Sequence, residues 1–191
     1  VRGLTEKLKD LGREVVSTFE PGGTAVARSV RSIFTEPPGG EVLDKRTELL
    51  LVCAARAQHV EQLIRPAMVS GKVVLCDRYS DSTRVYQGDL GKNEIGHLED
   101  MIAFAEAGVR PELTFLLDAP VELLEGRLSK RGGKQSRFDL AAKPVHENIR
   151  SSFLEIAKNF PDRIVVLDAT SDPLVIVEKA LAVIARHLGE A

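Results

Sequence analysis

Cysteine is scarce in this sequence: 191 residues hold only Cys53 and Cys76, each inside an apolar stretch. Neither has the partner spacing of a zinc site or a disulfide framework, so both are expected as buried free thiols. Long apolar runs are missing too, and none approaches the ~20 residues that a bilayer-spanning helix needs. The opening Val1-Arg2-Gly3-Leu4 has neither the apolar core nor the cleavage site of a secretory leader. No charge of one sign dominates. The formal charge of -2 gives no electrostatic reason to bind duplex DNA or an acidic membrane. Repeats, low-complexity tracts and charge blocks are also lacking, so nothing marks a domain boundary. What is present, 43% apolar and 28% charged residues, is ordinary for a globular chain long enough to bury a core. These properties predict one soluble, cytoplasmic domain over residues 1–191.

Within it, short β-rich runs alternate with longer helical patterns. The runs are Glu14 to Phe19, Lys72 to Asp77, Leu113 to Asp118 and Arg163 to Asp168. Three contain near-continuous apolar segments (VVLCD, LTFLLD, IVVLD), the pattern of parallel strands covered on both faces. Helical periodicity runs over Thr47 to Met68, Glu94 to Ala107, Val121 to Lys130, His146 to Asn159 and Pro173 to Leu188. Such alternation predicts an α/β fold with a doubly wound parallel sheet. The chain opens on a helical stripe, Val1, Leu4, Leu8 and Leu11, closed by Gly12 as a C-cap. In an α/β fold a helix of this kind follows a strand, and none precedes it in these residues.

Ligands of open parallel sheets bind beyond the carboxyl ends of the strands. There this sequence has Glu20-Pro21-Gly22-Gly23-Thr24, Asp77-Arg78-Tyr79, Asp118-Ala119-Pro120 and Asp168-Ala169-Thr170. Asp118 and Asp168 read equally well as helix caps or as ligand contacts. Arg78 has no packing reason to follow a buried strand, and its planar fork suits a phosphate. Gly22-Gly23 reads either as a turn needing positive φ or as close backbone approach to an anion. The basic stretch Leu128 to Asp139, with Lys130, Arg131, Lys134 and Arg137, has the character of a flap over a polyphosphate. Gly133-Lys134 is not a Walker A loop. Leu128 stands where that motif needs its first glycine and Gln135 where it needs Ser or Thr.

Together these stretches resemble the bacterial thymidylate kinases along nearly the whole chain. The resemblance is carried by GREVV..F-EPGGT (Gly12 to Thr24), ELLL..AARAQHV (Glu48 to Val60), IRPA (Ile64 to Ala67), CDRYSDST..YQG (Cys76 to Gly88), PELTFLLDAP (Pro111 to Pro120), SRFD (Ser136 to Asp139) and VVLDAT (Val165 to Thr170). It implies the P-loop nucleoside monophosphate kinase fold, with ATP and Mg2+ serving transfer of a γ-phosphoryl group to thymidine monophosphate in a homodimer, for which the Thr47 to Met68 helix is the expected contact. It also implies roles. Arg78 would hold the acceptor phosphate and Arg56 would reach the exocyclic oxygen of thymine. Thr83 and Gln87 would read the base edge, with Tyr86 packed nearby. Glu20 would lie by the sugar and, with Asp77, by the metal. Arg137, helped by Arg127 and Arg131, would close as a lid over the ATP phosphates from about residues 128–140. Asp168, Ala169 and Thr170 would line the adenine. Phosphoryl transfer asks mainly for positioning and charge neutralisation, which such an Arg set supplies.

The departures from that pattern are specific. The family opens on a strand and a glycine-rich loop ending in Gly-Lys-Ser/Thr, and these 191 residues do not include them. The chain as written is therefore expected to begin inside the fold and to lack transfer activity by itself. Phe19 stands where the family has Arg, Ser136 where it has Asp, and Gly88 to Asn93 lacks a Gly-Arg-Gly. Val52 replaces a Phe that stacks on thymine, which should weaken nucleotide binding by roughly 1–3 kcal/mol. Two other readings fit these departures: a non-catalytic nucleotide-binding paralogue, and a kinase for another nucleoside monophosphate.

Overall fold

Glycine and proline punctuate the chain, and the elements between them form as their side chains dictate. The computed structural model describes residues 1–88, 97–131 and 141–189, with only the backbone described at residues 125 and 128–131. Two compact units result, Val1–Arg110 and Pro111–Ala191.

In the first unit, α1 (Arg2–Asp10) ends as expected: Gly12 takes φ 78°, and Gly12 N and Arg13 N donate to the carbonyls of Lys9 and Leu8, a Schellman closure. Its stripe is only partly covered, since Leu8 is buried while Val1 and Leu11 are exposed. Two β-branched runs then form β1 (Val15–Phe19) and β2 (Val73–Asp77), joined in parallel from Val15↔Val73 to Phe19↔Asp77. Between them lie α2 (Ala25–Thr35), capped by Thr24 Oγ1 accepting from Ala27 N at 3.1 Å, and α3 (Lys45–His59), capped by Asp44. The predicted helix from Thr47 to Met68 is present but not uniform. A π turn spans Val60–Ile64, with Arg65 N bonding back to Val60 O, before α4 (Arg65–Val69) resumes. Pro66 explains the interruption, because it has no N–H to donate to the preceding turn. Among the elements not read from sequence are a 3-10 turn over Pro38–Gly40, α5 (Ser80–Thr83) and a π turn over Arg84–Gly88. Helix α6 (Leu98–Glu106) carries the described part of the pattern expected over Glu94 to Ala107; residues 89–96 lie outside the described residues, and with them most of the Gly88 to Asn93 loop. Val60, Ile64, Tyr79 and Val109 form a buried cluster on which Val74 and Cys76 pack.

The second unit repeats the strand–helix logic. Strands β3 (Thr114–Asp118) and β4 (Ile164–Asp168) pair in parallel from Thr114↔Ile164 to Asp118↔Asp168. Helices α7 (Val121–Arg131), α8 (Lys143–Asn159) and α9 (Pro173–His187) complete it, α8 starting three residues earlier than expected with Pro144 in its first turn. Among the described residues each sheet holds two strands. The strands are less covered than continuous apolar runs predict: Leu117 is 57% exposed and Val166 45%. No described helix is long and apolar enough to cross a membrane.

Candidate active site

Because β1 and β2 run in register, Phe19 and Asp77 end side by side, and Glu20 N donates to Asp77 O at 2.9 Å. Their two following loops, Glu20 to Gly23 and Arg78 to Ser80, therefore leave the sheet together. The Glu20–Pro21 peptide is cis.

Arg78 is exposed and adopts φ 66°, a left-handed conformation rare for a residue with a Cβ. Local contacts hold it there. Cys76 Sγ donates to the Arg78 carbonyl at 3.1 Å, and burial raises the Cys76 thiol's pKa, which keeps the proton it donates. The Arg78 guanidinium lies 5.4 Å from the Tyr86 ring centre. On its other side, Tyr79 Oη donates to Val109 O at 3.0 Å, and Ser80 Oγ to the buried Glu106 at 2.5 Å.

Deeper in the same unit is a polar network with almost no solvent access. Arg56 Nε donates to Glu20 Oε2 at 2.8 Å and Arg56 Nη2 to Thr83 Oγ1 at 2.8 Å. His59 Nδ1 lies 3.0 Å from Glu20 Oε1, and His59 Nε2 lies 2.8 Å from Thr18 Oγ1. The Tyr79 ring centre is 4.9 Å from the Arg56 guanidinium carbon. Arg56 is 2% exposed, Glu20 5% and His59 0%. Burying a charge is tolerated only when it is paired and hydrogen-bonded, which Arg56 and Glu20 achieve with each other. Yet Arg56 Nη1 is buried without a partner, the only such side-chain atom among the described residues. One turn and then another back along α3, at helical spacing, come Val52 and Glu48, and Glu48 Oε2 accepts from Gln87 Nε2 at 3.4 Å. The helix face Glu48, Val52, Arg56 thus meets the Thr83 to Gln87 segment.

Of the residues expected at an acceptor site, the fold joins Glu20, Arg56 and Thr83 by direct bonds, and sets Arg78 on Tyr86 and Gln87 on Glu48. Glu20 was expected beside a metal, but its carboxylate is turned onto Arg56 and His59 instead. Asp77 is exposed at its strand end. No group of three metal-ligating side chains occurs among the described residues. Gly22 has φ 148°, and a side chain there would strike the Phe19 ring. Gly23 is glycine for another reason: a Cβ would run into the His59 imidazole and the Thr18 hydroxyl.

In the second unit, Arg127 Nη2 donates to Ala169 O at 2.9 Å. Asp168 Oδ1 accepts from Thr170 N at 2.8 Å and from Thr170 Oγ1 at 2.7 Å, closing the turn after β4 and lowering the Asp168 pKa. Asp118 is held by Arg150 through two bonds, at 2.7 and 2.8 Å, which also lower its pKa. So both carboxylates have local structural partners. Arg137, Ser136 and most of the expected lid lie outside the described residues, as does the side chain of Arg131. Sequence reasoning missed Arg150, Glu106 and His59. His59 left one signal, its position three residues after Arg56 on the same face of α3.

Comparison with known proteins decides the family. The family model described as Thymidylate kinase matches residues 1–180. The chain belongs to the thymidylate kinase family. The thymidylate kinase of Pseudomonas fluorescens (strain Pf0-1) is 43% identical over 187 residues, covering 98% of this chain and 88% of that protein. That of Syntrophotalea carbinolica is 40% identical over 174 residues, covering 88% and 80%. Among solved structures, the thymidylate kinase of Ehrlichia chaffeensis superposes with a TM-score of 0.74 at 27% identity, covering 96% of this chain and 89% of that one. The fold is thus the α/β, P-loop nucleoside monophosphate kinase type, and the thymidylate kinase family to which the chain belongs is one of phosphotransferases.

Proposed function

We propose that this chain binds thymidine monophosphate in its first unit and takes part in transfer of a γ-phosphoryl group from ATP, giving thymidine diphosphate for deoxynucleotide synthesis. The observation that carries this reading is Arg56 Nη1, a buried cationic donor with no protein partner. An unmade buried hydrogen bond is costly, roughly 1–3 kcal/mol. A ligand acceptor, here the exocyclic 4-oxo group of thymine, relieves that cost. Thr83, Gln87 and Tyr86 bound the base, and the exposed Arg78 pairs with the acceptor phosphate through charge-assisted bonds.

Mg2+ supplies charge neutralisation on phosphate oxygens when bound. Asp77, exposed at the end of β2, fits as a carboxylate ligand completed by waters and phosphate. Glu20 does not fit, because both its oxygens are engaged and the Arg56 guanidinium beside it repels a second cation. On this reading Arg127, Arg131 and Arg137 serve the ATP phosphates and Asp168, Ala169 and Thr170 the adenine. No Gly-x-x-x-x-Gly-Lys-[Ser/Thr] run occurs in these 191 residues, so the chain by itself binds monophosphate without turning it over. We also read it as a homodimer, supported by Leu50 and Phe104, 55% and 81% exposed on two helices that pack together. Sedimentation at the monomer mass of 20.9 kDa would refute the dimer.

The test is calorimetric titration with thymidine monophosphate and with 5-methyl-deoxycytidine monophosphate, which differ in the 4-oxo against 4-amino group and in the proton on N3. The 4-oxo compound should bind at least roughly tenfold tighter, the discrimination expected when a site built for one hydrogen bond meets the wrong group. Equal affinity, or none for either, would overturn the reading.

A further inference from the structure

We propose that His59 is a positioning residue that aims the base-reading donor of Arg56. The inference rests on the acceptor-site reading above and assigns a role to a side chain that reading does not use.

The hydrogen-bond partners fix one proton of the imidazole. A carboxylate only accepts, so the proton shared with Glu20 Oε1 at 3.0 Å sits on His59 Nδ1. Nε2 is bonded to the Thr18 hydroxyl across 2.8 Å, so both ring nitrogens are held. Thr18 belongs to β1, Glu20 to the loop it enters, and His59 and Arg56 to one face of α3. The Glu20 carboxylate is therefore gripped by two residues of the same helix, His59 at Oε1 and Arg56 at Oε2.

This grip decides where Arg56 points. The guanidinium is planar, and it is anchored at Nε by Glu20 and at Nη2 by Thr83. With those two anchors the plane is fixed, and with it the position of Nη1, the nitrogen without a partner. If Oε1 lost His59, the carboxylate would be free to rotate and the fork would lose its fixed anchor at Nε. The room made for the ring supports a specific role, since the Gly23 backbone lies where any side chain would collide with His59. The second glycine of the Glu-Pro-Gly-Gly turn thus serves the imidazole.

The test compares the affinities of wild type, His59→Phe and His59→Asn for thymidine monophosphate and 5-methyl-deoxycytidine monophosphate. His59→Phe fills the space but cannot donate to Glu20, and His59→Asn keeps an N–H near the Nδ1 position. His59→Phe should weaken binding of the 4-oxo compound by roughly tenfold and bring the ratio of the two affinities towards one. His59→Asn should recover most of that ratio. A merely structural histidine would lower thermal stability in both variants and leave the ratio unchanged, which would overturn the proposal while the acceptor-site reading stood. Failure of the wild type to distinguish the two nucleotides would instead sink that reading and this proposal with it. Should His59→Phe not fold, His59→Leu decides, because it removes the bond to Glu20 with less bulk than a ring. The ratio should fall severalfold there, and an unchanged ratio refutes the role.

Discussion

Arg78 combines a left-handed backbone with an exposed cationic head. For a residue with a Cβ that conformation costs about 1–2 kcal/mol, and the bonds made by Cys76, Tyr79 and Ser80 around it hold the loop in place. On the proposed reading this is strain retained where a ligand is gripped, an exchange of stability for function. Two substitutions separate the terms. Arg78→Ala should reduce thymidine monophosphate affinity by at least roughly tenfold, as loss of a charge-assisted bond does, with little change in thermal stability. Arg78→Gly should lose the same affinity but be more stable than Arg78→Ala, by about 1 kcal/mol. A large drop in stability in both would make Arg78 structural. Arg56 is the opposite kind of arginine, buried and triply engaged except at Nη1. Both were visible in the sequence. Arg78 stood out because it follows a strand, and Arg56 because it matches the family pattern. His59 was not visible as more than a core position, because its partners Thr18 and Glu20 are 41 and 39 residues away.

At the level of elements, punctuation made the fold legible. Each of the four strands begins one residue after its predicted start and ends at the predicted residue, since an acidic or aromatic residue and a turn close each apolar run. Pro66 could be placed near a helix end, but the π turn it accompanies could not, since that depends on which carbonyl finds a donor. Helical structure over Ser80 to Gly88 was also not legible, as its polar residues carry no apolar periodicity. Strand coverage was overread, because a continuous apolar run does not specify what packs on each face. The bridge between β3 and α8 was hidden for the same reason as His59: Asp118 and Arg150 are 32 residues apart. Arg150 lowers the Asp118 pKa chiefly through its side-chain hydrogen bonds. A depressed carboxylate stabilises the fold above its unfolded pKa, near 4, and the contribution is lost as pH falls through the lower folded value. The side chains are 22% and 37% exposed, so solvent screening limits the pair to about 1 kcal/mol. Asp118→Asn should therefore be less stable than wild type at pH 7 by about that amount and equal to it in strong acid. A difference that persists unchanged in acid would mean that shape, not charge, is what Asn fails to supply.

Across the whole molecule, the residues divide by task on the proposed reading. The first unit carries groups for a base and its phosphate, while the second supplies Arg127, Asp168 and Thr170, already tied into the turn after β4. Val52, buried at 7% exposure between the Glu48 and Arg56 positions of α3, offers no ring to stack on a base, so on this reading selectivity falls to Arg56. Transfer chemistry needs a cradle of backbone N–H groups and a lysine around the phosphates, and these residues contain no run that forms one. The most direct test follows labelled γ-phosphate from ATP to thymidine monophosphate. The 191-residue chain would be assayed alone and again when joined at its amino end to the strand and Gly-x-x-x-x-Gly-Lys-Ser/Thr loop of a family member. The account predicts no labelled thymidine diphosphate from the chain alone, and product from the joined protein, formed faster from thymidine monophosphate than from deoxycytidine monophosphate. Product from the 191 residues alone, or equal rates with the two acceptors, would contradict it.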